Sequence, residues 1–319
     1  MRDHYGREID YLRISLTDLC NLRCMYCMPA EGVKKHSHQD NLSLEEVTEI
    51  ATAAVELGIK KIRLTGGEPL VRRGVVRLVE QLAALPGLRE LTMTTNGILL
   101  PGMARDLKAA GLTRINLSLD TLDPEKYRQI TRGGTLADAF AGLRAAEEAG
   151  LTPVKLNAVL IGGFNDSEIP AMVELTRERP VEMRFIELMP IGETDIFPAE
   201  AFLPVGAVLK LAPELAPLPE QTTGSVARLY GLPGAVGRVG LISPVSCSFC
   251  GSCNRIRLTA DGFLKPCLHS EKEYALRGLH GDTLRDALAA AIGQKPEEHA
   301  FLSKLERSGA GRNMYEIGG

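Results

Sequence analysis

Six short apolar and β-branched runs recur through the first 190 residues, each followed by a longer amphipathic stretch, and that alternation leaves few folds open. The runs are Tyr11–Leu16, Lys61–Thr65, Glu90–Thr94, Arg114–Leu119, Lys155–Ile161 and Glu182–Leu188. Strands separated by helices pair in parallel through right-handed crossovers. The first helical stretch opens at Ser43-Leu44-Glu45-Glu46, where Ser and Glu three apart form a capping box, and runs to Gly58. Gly111 and Gly150 follow later helical runs as C-terminal signals. Six strands rather than eight predict an α/β fold, a partial (βα)6 TIM-like barrel. Its functional residues are expected at the C-terminal ends of strands.

After Met189-Pro190 the texture changes, which divides the chain into a barrel over 1–190 and a smaller C-terminal region over 191–319. Residues 191–235, rich in proline and glycine, read as an irregular connection. Residues 236–269 read as short strands with Asp261-Gly262 as a hairpin turn. Asp282-Thr283-Leu284-Arg285 starts a helix, and Ser308 to Gly319, with four glycines, is expected to lack regular structure. A net charge of −3 argues against a nucleic-acid binder held by bulk electrostatics. No apolar run follows Met1, and none approaches the roughly 18 residues of a membrane span. The seven cysteines fall in two groups rather than a scattered disulfide framework, which predicts reduced, metal-binding cysteine in the cytoplasm.

The first group is Cys20-Asn-Leu-Arg-Cys24-Met-Tyr26-Cys27. Three thiolates on one tight loop can hold three irons of a [4Fe–4S] cubane and leave the fourth open. An open metal position is where chemistry occurs. A structural zinc loop is the other reading, although zinc takes four ligands and usually paired Cys-x2-Cys. The second group, Cys250-Gly-Ser-Cys253, then thirteen residues, then Cys267, again supplies three thiolates. Arg255 and Arg257 follow the pair and share one face of a strand, so both project beside the metal. Two guanidiniums there suit an anionic, hydrogen-bonding ligand; a solvated charge pair is the alternative. Gly66-Gly67-Glu68-Pro69 follows the second strand, where glycines permit close backbone approach to a ligand.

The cysteine loop with Tyr26 and the separated Gly66-Gly67-Glu68-Pro69 segment resemble those of the radical S-adenosylmethionine (SAM) enzymes. The second group, with Arg-x-Arg after its pair and Gly318-Gly319 at the end, resembles the branch of that family that cyclises GTP in molybdenum cofactor biosynthesis. That resemblance implies a lyase with two [4Fe–4S] clusters, on Cys20, Cys24 and Cys27 and on Cys250, Cys253 and Cys267. One electron from the first cluster splits SAM. The 5′-deoxyadenosyl radical takes hydrogen from C3′ of GTP, and C3′ bonds to C8 of guanine. It further implies a C-terminal iron–sulfur domain, a homodimer, an external electron donor, and cyclic pyranopterin monophosphate synthase as pathway partner.

Site residues follow from the same resemblance, position by position. Tyr26, Gly67, Ser118 and Met189 match the SAM side. Arg13, Arg63, Thr94 and Lys155 match GTP contacts, with Arg184 a further phosphate candidate; Arg255 and Arg257 serve both substrate binding and catalysis. The terminal Gly318 and Gly319, without side chains, can thread into a narrow site beside Arg255 and Arg257. Cys247 stands three before Cys250; as a fourth ligand it would close the second site, and it is read as a free thiol. Two alternatives remain at this level: a peptide-modifying radical SAM enzyme with an auxiliary cluster, and a non-catalytic iron–sulfur or zinc scaffold.

Overall fold

A computed structural model of the chain describes residues 1–33, 41–192, 197–219, 225–299, 308 and 310–318. The strands are β1 (Tyr11–Ser15), β2 (Lys61–Thr65), β3 (Glu90–Thr95), β4 (Arg114–Ser118), β5 (Lys155–Leu160) and β6 (Glu182–Glu187). They continue as β7 (Ala216–Pro217), β8 (Ala227–Gly231), β9 (Arg238–Ile242), β10 (Arg255–Leu258), β11 (Phe263–Lys265) and β12 (Tyr274–Ala275). The six expected strands thus form within a residue of their predicted ends. Ser43 caps the helix Leu44–Glu56 reciprocally with Glu46, as the capping box requires.

All of these strands lie in one sheet, ordered β12-β11-β10-β1-β2-β3-β4-β5-β6-β9-β8-β7. From β10 through β1 and β6 to β9, every neighbour pairs in parallel. The remaining strands are antiparallel at the edges. The sixfold barrel is therefore extended on both sides by strands from the C-terminal third. Alternation within the strands sorts the molecule into two faces. Leu12, Ile62, Met93, Leu117, Leu156, Phe185 and Ile256 face outward under the helices and form one continuous core. Burying each such side chain contributes about 1.5–3 kcal/mol. The opposite face carries mainly polar side chains and encloses the cavity.

Three readings of the C-terminal region need correction. Residues 191–235 contain a helix, Gly206–Leu211, and strands β7 and β8. A six-residue helix is too short to show periodicity, and β8 is held as the antiparallel hairpin partner of β9. The terminus is also ordered as a short helix, Met314–Ile317, whose Asn313–Glu316 capping box stood in the sequence. The terminal glycines masked that signal. The hairpin turn at Asp261-Gly262 and the helix from Asp282 (Gly281–Gly293) form as expected. Among the described residues no helix is long and apolar enough to cross a membrane.

Candidate functional site

Strand direction places the two cysteine groups at opposite ends of the barrel. The loop bearing Cys20, Cys24 and Cys27 follows β1, so it sits at the C-terminal end of the parallel strands. Cys253 immediately precedes β10, which runs parallel to β1 with Arg255 opposite Tyr11. That is the N-terminal end, and antiparallel β11 returns there before Cys267. The expectation of function at C-terminal strand ends thus holds for the first group only. One cavity of about 600 Å³ is lined by both groups and by the shaft between them, a size suited to a cofactor plus a small-molecule ligand.

Every second residue of the parallel strands faces this shaft. Register sets Arg257, Arg13, Arg63, Thr92 and Arg114 side by side across five strands. Thr94, Asn116, Lys155, Glu182 and Arg238 form the next row from β3 to β9. A chain of net charge −3 thereby gathers arginines and lysines into its interior. Glu182, about 1% exposed, binds Lys155 at 3.2 Å, Arg238 at 2.8 Å and also Arg184. Burial would raise the Glu182 carboxyl, but those cations bring it down to about 2. Burial, with Arg184 close by, lowers Lys155 to about 7.

Several buried polar atoms on this wall have no partner among the described residues: the Tyr11 hydroxyl, Thr94 Oγ1, Asn116 Nδ2, Asn157 Oδ1, and Nε and Nη2 of Arg255. An unmet buried polar group costs about 1–3 kcal/mol, so such a row fits a hydrogen-bonding ligand. Arg255 also stacks on the Phe249 ring, 5.0 Å from its centroid. The carbonyl of Gly318 accepts from Arg257 Nη1 at 2.8 Å and Arg13 Nη2 at 3.1 Å. The terminus therefore reaches the interior, and a side chain at Gly318 would strike Thr65 Oγ1. Gly319 lies outside the described residues.

The first cysteine loop is welded to the barrel by backbone. Gly67 N donates to Thr17 O at 2.7 Å and Glu68 N to Leu19 O at 2.9 Å. A Cβ on Gly67 would stand 2.4 Å from the Leu19 carbonyl oxygen. The close approach that Gly67 permits is thus to the chain's own segment leading into the loop. Glu68 is buried, which raises it to about 7, and it accepts from Thr95 Oγ1 and Asn96 N at 2.8 Å each. Tyr26 donates to Asp120 at 2.7 Å. Ser118 and Met189 line the same end. Burial pushes Cys20 to about 11, Cys27 to about 12 and Cys24 well above its usual value. Only a bound cationic centre would draw these thiols to thiolates.

At the other end burial would also raise Cys253, but Arg255 and Lys295 bring it down to about 7. The two cysteine sets thus stand in opposite electrostatic surroundings. Among the described residues no three His, Cys, Asp or Glu side chains are drawn together around a single metal-ion position. Cys247 is exposed, takes a contact from Arg228 Nη2 at 3.0 Å and does not line the cavity. All predicted site residues with described structure thus face one chamber. Asp120, Asn116, Asn157 and Tyr11 escaped the sequence reading. Each sits at an alternate, inward position or just past a strand end, a signal that becomes legible once register is known.

Comparison with known proteins places these observations. Residues 14–176 match the Radical SAM superfamily, and residues 181–301 match Molybdenum Cofactor Synthesis C. A protein named GTP 3′,8-cyclase from Alkaliphilus oremlandii (strain OhILAs) is 50% identical over 323 residues, covering 100% of both chains. Its namesake from Peptoclostridium acidaminophilum is 52% identical over 320 residues, covering 99% of this chain and 98% of that one. The crystal structure of Streptococcus suis SuiB bound to precursor peptide SuiA aligns with a TM-score of 0.62 at 13% identity. It covers 92% of this chain and 69% of SuiB, a likeness of fold.

Proposed function

The chain belongs to the radical SAM superfamily, within the GTP 3′,8-cyclase family, and from that premise we propose that it converts GTP to 3′,8-cyclo-7,8-dihydro-GTP. This is the first step of molybdenum cofactor biosynthesis. The observation that carries the reading is the shaft itself: cations and unpartnered polar atoms, closed at either end by three cysteines.

Membership of the superfamily brings SAM and one [4Fe–4S] cluster, assigned to Cys20, Cys24 and Cys27. When bound, that pair supplies a carbon radical able to abstract hydrogen. Gly67, Tyr26, Ser118 and Met189 hold SAM at this end, with Asp120 orienting the Tyr26 hydroxyl. Arg13, Arg63, Lys155 and Arg184 bind the triphosphate, which needs several cations at once. Thr94 fixes the substrate between them. Cys250, Cys253 and Cys267 would hold a second cluster facing the guanine end, where Arg255 and Arg257 would orient the base. The Gly318 carbonyl sets the planes of Arg13 and Arg257. Enclosure by the barrel keeps water from the radical. We assign the protein to the reducing cytoplasm, as a homodimer fed by an external electron donor. Its product passes to cyclic pyranopterin monophosphate synthase.

The test is anaerobic reconstitution with iron and sulfide, then SAM, a strong reductant and GTP. Matched formation of 5′-deoxyadenosine and a cyclised dihydro-GTP is expected. Deoxyadenosine without GTP loss would retain SAM cleavage and reject this substrate.

A further inference from the structure

The second cysteine group is assembled by two buried cations from the far ends of the chain. Arg7 pairs with Asp3 at 2.6 Å, and its Nη1 donates to the carbonyls of Cys250 and Glu297 at 2.8 Å each. Its Nη2 donates to Pro296 O at 2.6 Å, which straps the segment after the helix Gly281–Gly293 against the Cys250 turn. On that strapped segment stands Lys295, 3% exposed. Lys295 Nζ donates to Arg255 O and to Pro266 O, at 2.8 Å each. Lys295 also lines the chamber together with Cys250, Cys253 and Cys267.

These contacts touch each cysteine differently. Cys250 is braced through its own carbonyl, Cys267 through the carbonyl of the residue before it, and Cys253 through the carbonyl of Arg255 two residues on. The Lys295 side chain braces the backbone beside two of the three, and it sets there a buried cation that the mechanism above leaves without a role. A cation buried beside a cluster favours its more negative, reduced state.

We propose that Lys295 is a positioning residue for the second cluster: it holds Cys253 and Cys267 in place and keeps the cluster easier to reduce than the thiolate set alone would. The inference rests on the second cluster assigned above, so the test is built to separate the two. In the full-length chain carrying Cys24→Ala and Cys27→Ala, only the second group can hold a cluster. After anaerobic reconstitution that background should bind about four irons. An iron-free background would refute the second cluster itself. Adding Lys295→Met should make reduction at least tenfold less favourable, ~59 mV more negative for one electron. The reduced-state EPR signal should change with it, whereas Lys295→Arg should restore most of the potential. A Lys295→Met chain with the parent's spectrum and potential overturns the proposal. If Lys295→Met folds but loads no iron, Lys295→Arg decides: iron at the parent's potential supports the role, and an empty Lys295→Arg overturns it.

Discussion

The two cysteine groups present the same donors on opposite constructions. The first is a single loop of eight residues, fixed by backbone bonds: Cys27 N and Met28 N both donate to Cys24 O, and Met25 N donates to Ile130 O. Its ionisable neighbours are the carboxyls of Asp120 and Glu68. The second is spread over eighteen residues and held by side chains from residues 7 and 295. Its neighbours are Arg255 and Lys295. Negative surroundings oppose adding an electron to a bound cluster and positive surroundings favour it. In the function proposed above, the carboxyl-flanked end would hold the centre that reduces SAM, and the cationic end would face the anionic substrate.

The sharpest way to break this division is to remove one ligand from each end. Cys24→Ala should abolish 5′-deoxyadenosine formation while the second group keeps its iron. Cys253→Ala should keep SAM cleavage, uncoupled from GTP, and abolish cyclisation. Parallel assays of iron, deoxyadenosine and GTP loss decide it, and loss of SAM cleavage in both variants would mean that the ends do not act separately.

Next in size is Arg257→Met. It removes a charge-assisted bond worth about 1.5–3 kcal/mol and leaves the Gly318 carbonyl to Arg13. GTP affinity, read by equilibrium binding, should fall roughly 10- to 100-fold with SAM binding and iron content unchanged. Equal loss of SAM binding would show that the cationic wall serves both ligands.

The same wall predicts a pH dependence. Lys155 titrates at about 7 because it is buried near Arg184, only partly offset by Glu182. A bound triphosphate favours the ammonium and raises that value. The complex then holds more protons than the free protein above pH 7. GTP affinity should therefore decline as pH rises from 7 to 9, with proton uptake visible as a buffer-dependent binding enthalpy. Lys155→Arg, charged throughout, should flatten the decline.

How much of this was legible in sequence follows the same contrast. The spacing of the first loop and the six strands could be read from local pattern, whereas Gly66-Gly67, read as approaching a ligand, packs instead as a buttress on the 17–19 segment. The brace on the second group runs from Arg7 to Cys250, and no local pattern encodes that pairing. The two-residue β7 and the four-residue terminal helix were hidden for another reason: each is too short to show periodicity. Asn116 and Asn157 needed strand register before their inward direction acquired meaning. The buttress itself gives a smaller, structural prediction. Gly67→Ala should cost about 1–3 kcal/mol in denaturant unfolding, because its Cβ meets two carbonyl oxygens of the 18–19 segment.

The smallest expected effect tests whether the second group is open. Cys247 is within the same cysteine-rich stretch, and four thiolates would complete a closed site with no position for substrate. Its surroundings point elsewhere. Its backbone N–H donates to Ser243 O, its sulfur faces Arg228 on the exposed side, and the Glu187 carboxylate anchors the preceding turn through Val245 N and Ser246 N. That anchoring holds Cys247 outside while the chain continues to Cys250 at the cavity wall. Cys247→Ala should therefore leave iron content, cluster spectra and GTP turnover within experimental error of the parent. Loss of half the iron would make Cys247 a ligand. The cationic end would then hold a closed centre, and recognition of guanine would fall to Arg255, Arg257 and Phe249 alone.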